Sequence, residues 1–319
     1  MGIVVRELFA EFGAKYQIRL LAGEKGLNRV MDWVHILEGV EAAKFLNGNE
    51  LIFTTGIGKN LKHWLMCLIQ GIYQRNACGM IVNIGPYMET ITGSNGVIIP
   101  PEGYLPGVRK ICDEFGIMMI CDEVMAGWGR SGKMFSFENF DVKPDIVTFA
   151  KGVTCGYVPL GGVVVSKEIA EYFDDHKLMC GLTYSGHPLA CAAGVACVEY
   201  YKSHNILENV AKSGKVLGEE LEECRETFRC VGDVRYIGLW SSIELVKDKE
   251  TKEPLVPYGK DPENIMGAVI LKLAKRHFLT YSHENMIFIA PPLIITEQQV
   301  KEEMAKVKEV LAEVDKEFL

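Results

Sequence analysis

Residues 147–162 read VTFAKGVTCGYVPLGG. Val147, Phe149 and Ala150 form an apolar run like the end of a buried strand, and Lys151 closes it before a glycine-rich turn. An amine in such a place is costly to desolvate unless a partner or a reaction compensates. Earlier in the chain, IMMICDEV (117–124) reads as a buried strand of the parallel type, with nothing polar before Asp122 at its carboxyl end.

Ligands of open parallel sheets sit beyond the carboxyl ends of the strands, so Asp122 and Lys151 can face one site. A carboxylate there can hold a pyridine nitrogen protonated, and an amine can form a Schiff base with an aldehyde. Those are the two functions that pyridoxal 5'-phosphate requires. The same spacing is equally compatible with a buried Asp–Lys ion pair, which gains little over an apolar pair.

Working outward, the chain reads as α/β throughout. In residues 1–90 VRELFAEFG is a helical stripe, ELIFTTGIG a strand, LKHWLMCLIQGIYQRN an amphipathic helix and CGMIVNIG a strand, together a small crossover module. GPYMETITGSNGVIIPPEG is a loop. Residues 91–202 then carry the helix YLPGVRKICDEFG, stopped at Gly116, the strands around Asp122 and Lys151, the strand LGGVVVS and a helix from HPLACAAGVACVEYYKSH. This part is expected to hold a mostly parallel sheet. Residues 203–319 turn charged and helical, with a strand IGLWSSIEL, a helix AVILKLAKRHF and a closing helix after Pro292, as in a smaller α+β domain.

Composition narrows the function. A formal net charge of −8 argues against nucleic-acid and acidic-membrane surfaces. The apolar runs are too short to span a bilayer and no signal-peptide pattern opens the chain, so a cytoplasmic location is expected. Ten cysteines and seven histidines show no CxxC pair and no ligand spacing, which reads as reduced thiols and no metal site. GWGRSG (127–132) matches the dinucleotide fingerprint, but such a fingerprint must open a helix, and KMFSFENFDVKPD has no helical stripe. Its glycines are expected to let the chain turn tightly near a cofactor.

DEVMAGWGRSGKMF, PDIVTFAKGVTCGYVPLGGVVVS and LTYSGHPLACAAGVA closely resemble the class III, fold-type I aminotransferases, from about Thr92 through IAPPLIITEQQV. The resemblance is strongest to the branch that acts on ω-amino acids, amines and taurine with pyruvate as acceptor. It implies pyridoxal phosphate as cofactor, with Asp122 on the pyridine nitrogen and Val124 on the ring face. Lys151 would bind the cofactor aldehyde and shuttle the proton between Cα and C4′. Thr183 would reach the cofactor phosphate of a neighbouring subunit, which implies a homodimer. Read without the resemblance, Val124 is plain core and Thr183 a strand-edge hydroxyl.

Two departures stand out. Phe288 occupies the place, two residues before Ala-Pro-Pro, where many relatives carry a carboxylate-binding arginine, and Trp240 stands where phenylalanine is common. The family's N-terminal half, with its Gly-Ser phosphate cup, has no counterpart before Thr92, although a helix N-terminus is the natural phosphate site. Instead VRELF, LLAGEKGLNRVMDWVHILEG, FLNGNELIFTTGIG and GMIVNIGPY resemble the N-terminal domain of PucR-type purine-catabolism regulators over about 1–88. In that module Trp33, His35 and Thr54 are pocket candidates or packing residues. Three readings stay open: a transaminase, a non-catalytic ligand-binding or regulatory fusion, and a deletion product.

Overall fold

The computed structural model describes residues 84–178 and 183–319. The helices and strands read within 1–83, with Trp33, His35 and Thr54, lie outside the described residues. β1 (Ile84–Glu89), β2 (Met118–Asp122), β3 (Ile146–Phe149) and β4 (Gly162–Val165) form one sheet in that order. Two backbone bonds fix the register of β2 on β3: Asp145 N donates to Met119 O at 2.9 Å and Glu123 N donates to Thr148 O at 2.8 Å. Residue numbers rise together along the pair, so the strands are parallel and their carboxyl ends share one side. β1 runs through Pro86 into the stretch read as loop and ends the order of described strands.

By compactness the described residues fall into two units, one of 84–88, 106–121 and 144–146 and the other of the remainder. The first unit holds most of α1 (Tyr104–Phe115), which stops at Gly116 with φ +63° as its sequence predicts. Asp145 knits that unit together. Its Oδ2 accepts from Arg109 Nη1 on α1 at 2.7 Å and from Met119 N on β2 at 2.7 Å. One carboxylate thereby ties the helix, the middle of β2 and the residue before β3.

In the second unit α2 (Lys167–Asp175), α3 (Pro188–Ser203) and α4 (Ile206–Thr227) follow β4. Val163, Val164 and Val165 of β4, which ends the order of described strands, are exposed. The chain then builds a second, antiparallel sheet in the order β5 (Val231–Ile237), β6 (Trp240–Asp248), β9 (Met286–Ile289), β8 (Ser282–His283), with β7 (Glu253–Pro254) on β6. The stretch read as one strand, IGLWSSIEL, is instead a tight hairpin. Ile237 pairs with Trp240 across Gly238 and Leu239, and Gly238 takes φ +57°. A two-residue loop matches the twist of its strands only with residues of positive φ, and Gly238 supplies one.

α4, α5 (Ile265–Lys275) and α6 (Glu297–Glu317) pack on this sheet through a continuous core that includes Leu217, Leu221, Ile243, Leu273, Ile287 and Leu311. α6 starts where the sequence expects a helix after Pro292. Thr296 Oγ1 accepts from Gln299 N, and Gln299 Oε1 accepts from Thr296 N at 3.0 Å, a reciprocal cap. Among the described residues no helix is long and apolar enough to cross a membrane.

Asp145→Ala should lower the unfolding free energy by about 1–3 kcal/mol, because Met119 N–H is left buried without its acceptor. Chemical denaturation of the variant beside the parent chain measures the loss.

Candidate active site

Asp122 is the last residue of β2 and is half-buried. Its Oδ1 accepts from Val124 N at 2.9 Å, so the backbone of the following turn orients the carboxylate. Val124 is half-buried beside it. Glu123, between them, is fully buried and points into the turn that follows. It accepts from Thr90 Oγ1 at 2.5 Å, Ser136 N at 2.8 Å and Phe137 N at 3.0 Å. Burial pushes its carboxyl above the ordinary carboxylate range, against the pull of those three hydrogen bonds. The two adjacent acids thus have separate tasks: Glu123 folds the loop back on itself, and Asp122 marks the strand end.

Lys151 corrects the sequence expectation. β3 ends at Phe149, two residues earlier, and Lys151 opens a single 3-10 turn, Lys151–Thr154, with its side chain exposed. The reason is local. Lys151 has φ +47°, a left-handed value that cannot continue a strand and is uncommon for any residue but glycine. Non-glycine residues held there cost on the order of 1–3 kcal/mol and collect at functional sites. The expected penalty of a buried amine therefore gives way to backbone strain at an exposed one.

Packing holds that strained turn against the loop that leaves Asp122. A Cβ built on Gly152 would lie 2.5 Å from the Cβ of Trp128, so the backbone beside Lys151 rests directly on this tryptophan. Trp128 is buried and meets Phe135, Phe149 and Tyr201 edge-on, with ring centroids 5.5–6.3 Å apart. Tyr201 Oη donates to Trp128 O at 2.8 Å, which fixes the loop to α3. Trp128 itself has φ +58°, a second strained residue in the same assembly.

GWGRSG is a structural joint. After it the chain enters a 3-10 turn, Ser136–Phe140, rather than an α-helix. Arg130 Nη1 donates to Leu239 O at 2.8 Å and to Pro291 O at 2.7 Å, and Arg130 O accepts from Leu239 N at 3.1 Å. A Cβ on Gly238 would come within 2.6 Å of Ser131 C, so hairpin and turn touch backbone to backbone. Burial lowers the proton affinity of the Arg130 guanidinium from its ordinary value.

Thr183 sits exposed in the turn before α3, on a segment separate from the Asp122 and Lys151 turns. Phe288 is buried and stacked on Tyr281 with centroids 4.6 Å apart, while Trp240 packs in a cluster with Ile91, Val97, Met286 and Phe288. Both departures from the family pattern are core residues here. A cavity of about 250 Å³ is lined by Phe278, Leu279, Phe288, Pro291 and Met304 among others, and by none of the sequence-predicted site residues. Glu123, Trp128, Arg130 and Tyr201 were not singled out by the sequence reading; the Gly-Trp-Gly-Arg run is a signal for Trp128 and Arg130, and none marks Glu123 or Tyr201.

A sequence model of the class-III aminotransferases matches residues 73–311. The chain belongs to this family. A model of the purine catabolism regulatory protein-like family matches residues 9–121, so the two matches overlap over 73–121. The chain is 40% identical over 219 residues to an adenosylmethionine-8-amino-7-oxononanoate aminotransferase of Methanocaldococcus jannaschii, covering 66% of this chain and 46% of that protein. It is 34% identical over 256 residues to a taurine–pyruvate aminotransferase of Bilophila wadsworthia, covering 75% and 55%. The structure of taurine:2-oxoglutarate aminotransferase from Bifidobacterium kashiwanohense, in complex with PLP and glutamate, superposes with a TM-score of 0.72 at 50% identity, over 83% of this chain and 59% of that one. The chain spans about half the length of the curated relatives it matches.

Gly152→Ala should destabilise the chain by about 1–3 kcal/mol, since the new methyl group overlaps Trp128 in a packed site. A Trp128 fluorescence change at unchanged far-ultraviolet circular dichroism would locate the damage at this joint. Unaltered stability and emission would show that the Lys151 turn does not rest on Trp128.

Proposed function

We propose that this chain carries the lysine and aspartate of a pyridoxal-phosphate transaminase. The amino donor would be an ω-amino acid, an amine or a taurine-like compound, and the acceptor pyruvate or a similar 2-oxo acid. The observation that carries the reading is the placement of Asp122 at the carboxyl end of β2 and of Lys151 two residues beyond that of the adjacent parallel β3, with Trp128, from the turn after Asp122, packed on Gly152. The relatives, aminotransferases of taurine and of an amino-oxononanoate, support the donor class.

The residues present fit the cofactor. Pyridoxal phosphate, when bound, supplies the electron sink for breaking a bond at the substrate Cα. Asp122 provides an oriented carboxylate for the ring nitrogen, and its hydrogen bond from Val124 N keeps it aimed. Lys151, exposed on a rigid turn, provides an amine free to take the aldehyde and afterwards to hold and deliver a proton. Val124 would pack on the ring face. Thr183, exposed, would reach the phosphate in a second copy of the chain, making the working form a homodimer.

A second reading rests on the match over residues 9–121: a catalytically impaired fusion that serves as a ligand-binding or regulatory protein.

Borohydride reduction of the chain incubated with pyridoxal phosphate should leave the cofactor covalently on Lys151, found by peptide mass mapping. Lys151→Ala should lose the label, and Asp122→Asn should weaken retention about tenfold or more. Equal labelling of many surface lysines, or none at Lys151, would reject the transaminase reading. Saturable binding of a purine without any label at Lys151 would favour the second.

A further inference from the structure

We propose that the cavity at the carboxyl end of α5 is a binding site for a small aromatic amine in its ammonium form. The cavity, about 250 Å³, is lined by the turn that leaves α5, the end of β9 and α6, and neither Asp122 nor Lys151 lines it. An apolar cavity of about 150 Å³ is enough to take up benzene, so this one admits an aromatic ring with a short substituent. Its walls suit such a ring. Leu217 and Phe278 are apolar, and the thioether of Met304 makes favourable contacts with ring edges. Leu279, at the same cavity, is 86% exposed, so an apolar ligand gains contact with a side chain that water now surrounds.

Hydrogen bonds hold the walls in place before any ligand arrives. Asn209 Nδ2 donates to Leu293 O at 2.7 Å and to Ile295 O at 2.9 Å, and Ser213 Oγ donates to Ile295 O at 2.8 Å, which ties the segment after Pro292 to α4. Arg130 holds Pro291 O. On the other side the last turn of α5 is closed by Phe278 N, which donates to Leu273 O at 3.0 Å across His277 at φ +61°. A cavity organised in advance loses little freedom on binding.

The charge of the ligand follows from the polar part of the lining. Glu303 is the one carboxylate among the lining residues, and it is half-buried. Its Oε1 accepts from Lys306 Nζ at 2.6 Å, while among the described residues its Oε2 has no hydrogen-bond partner. The same helix shows that one carboxylate can serve two cations: Glu313 accepts from Lys272 on one oxygen and from Arg276 on the other. An ammonium group on Glu303 repeats that arrangement, and a charge-assisted bond of this kind is stronger than a neutral one. The Thr280 hydroxyl donates to Phe288 O, which leaves its oxygen able to accept as well.

The test titrates the intact chain, without added cofactor, with benzylamine and with benzyl alcohol, its uncharged counterpart, and follows the Met304 methyl signal by NMR. Benzylamine should shift that signal saturably, with a Kd of about 1 mM or tighter. Benzyl alcohol should bind about tenfold more weakly, because a neutral bond replaces a charge-assisted one. Glu303→Gln should remove this preference and leave the affinity for the alcohol unchanged. Lys151→Ala should bind both probes as the parent chain does, so the outcome is independent of the transaminase reading. No saturable shift at Met304, equal affinity for the two probes, or a preference that survives Glu303→Gln would each overturn the proposal. The parent chain's response to the two probes decides the matter even where a variant fails to fold.

Discussion

The site depends on the parallel register of β2 and β3. The bonds from Asp145 N to Met119 O and from Glu123 N to Thr148 O admit no slip, because a one-residue shift would turn each side chain to the opposite face of the sheet. With that register in place, Asp122 and Lys151 emerge on the same side at the ends of neighbouring strands. An open parallel sheet binds its ligands there, where strands stop and backbone groups turn free of the ladder. The acidic pair at 122–123 exploits this boundary. Glu123 makes the last ladder bond and spends its carboxylate on the returning loop, while Asp122, one residue earlier, remains at the rim.

A register alone does not hold a strained turn. Lys151 and Trp128 both occupy left-handed backbone, and neither conformation is stable in isolation. They persist because each is packed from several directions. Gly152 lies on Trp128, three aromatic rings surround the indole, Tyr201 holds the Trp128 carbonyl, and Arg130 binds two carbonyls of the second sheet's segments. Buried charge-assisted bonds of this kind are each worth roughly 1.5–3 kcal/mol, comparable with the strain they oppose. The Gly-rich run therefore serves the site mechanically. Its glycines allow backbones to touch, and its arginine fastens the result.

Legibility from sequence followed the range of the interaction. α1, with its glycine stop, and α6, with its proline-led start, are encoded by neighbours a few residues apart and were readable. So were the strands around Asp122 and β4, which are short apolar runs between turn residues. The hairpin at Gly238 was not, because its two-residue turn is marked in IGLWSSIEL only by one glycine, which meets Ser131, over one hundred positions away. The strand end at Phe149 was misplaced for a related reason. An apolar stretch followed by lysine carries no sign that φ will invert at Lys151, where the next residue, Gly152, lies against Trp128. Asp122 and Lys151 were legible as chemical types, whereas Glu123, Arg130 and Tyr201 acquire meaning only from partners distant in sequence.

Exposure of Lys151 and burial of everything beneath it follow from one arrangement. A buried amine would require a fixed counter-charge, and an ion pair with Asp122 would consume both groups. Placing the lysine instead on an exposed turn keeps its side chain at the surface, while the next residue packs against Trp128. The strain is thereby confined to φ and ψ, where packing around Trp128 can oppose it, and the side chain keeps its full reach. Replacement by glycine would relieve the strain and remove the amine, so stability and chemistry pull in opposite directions at this position. The left-handed backbone at Lys151 is therefore opposed by packing, and its side chain stays at the surface.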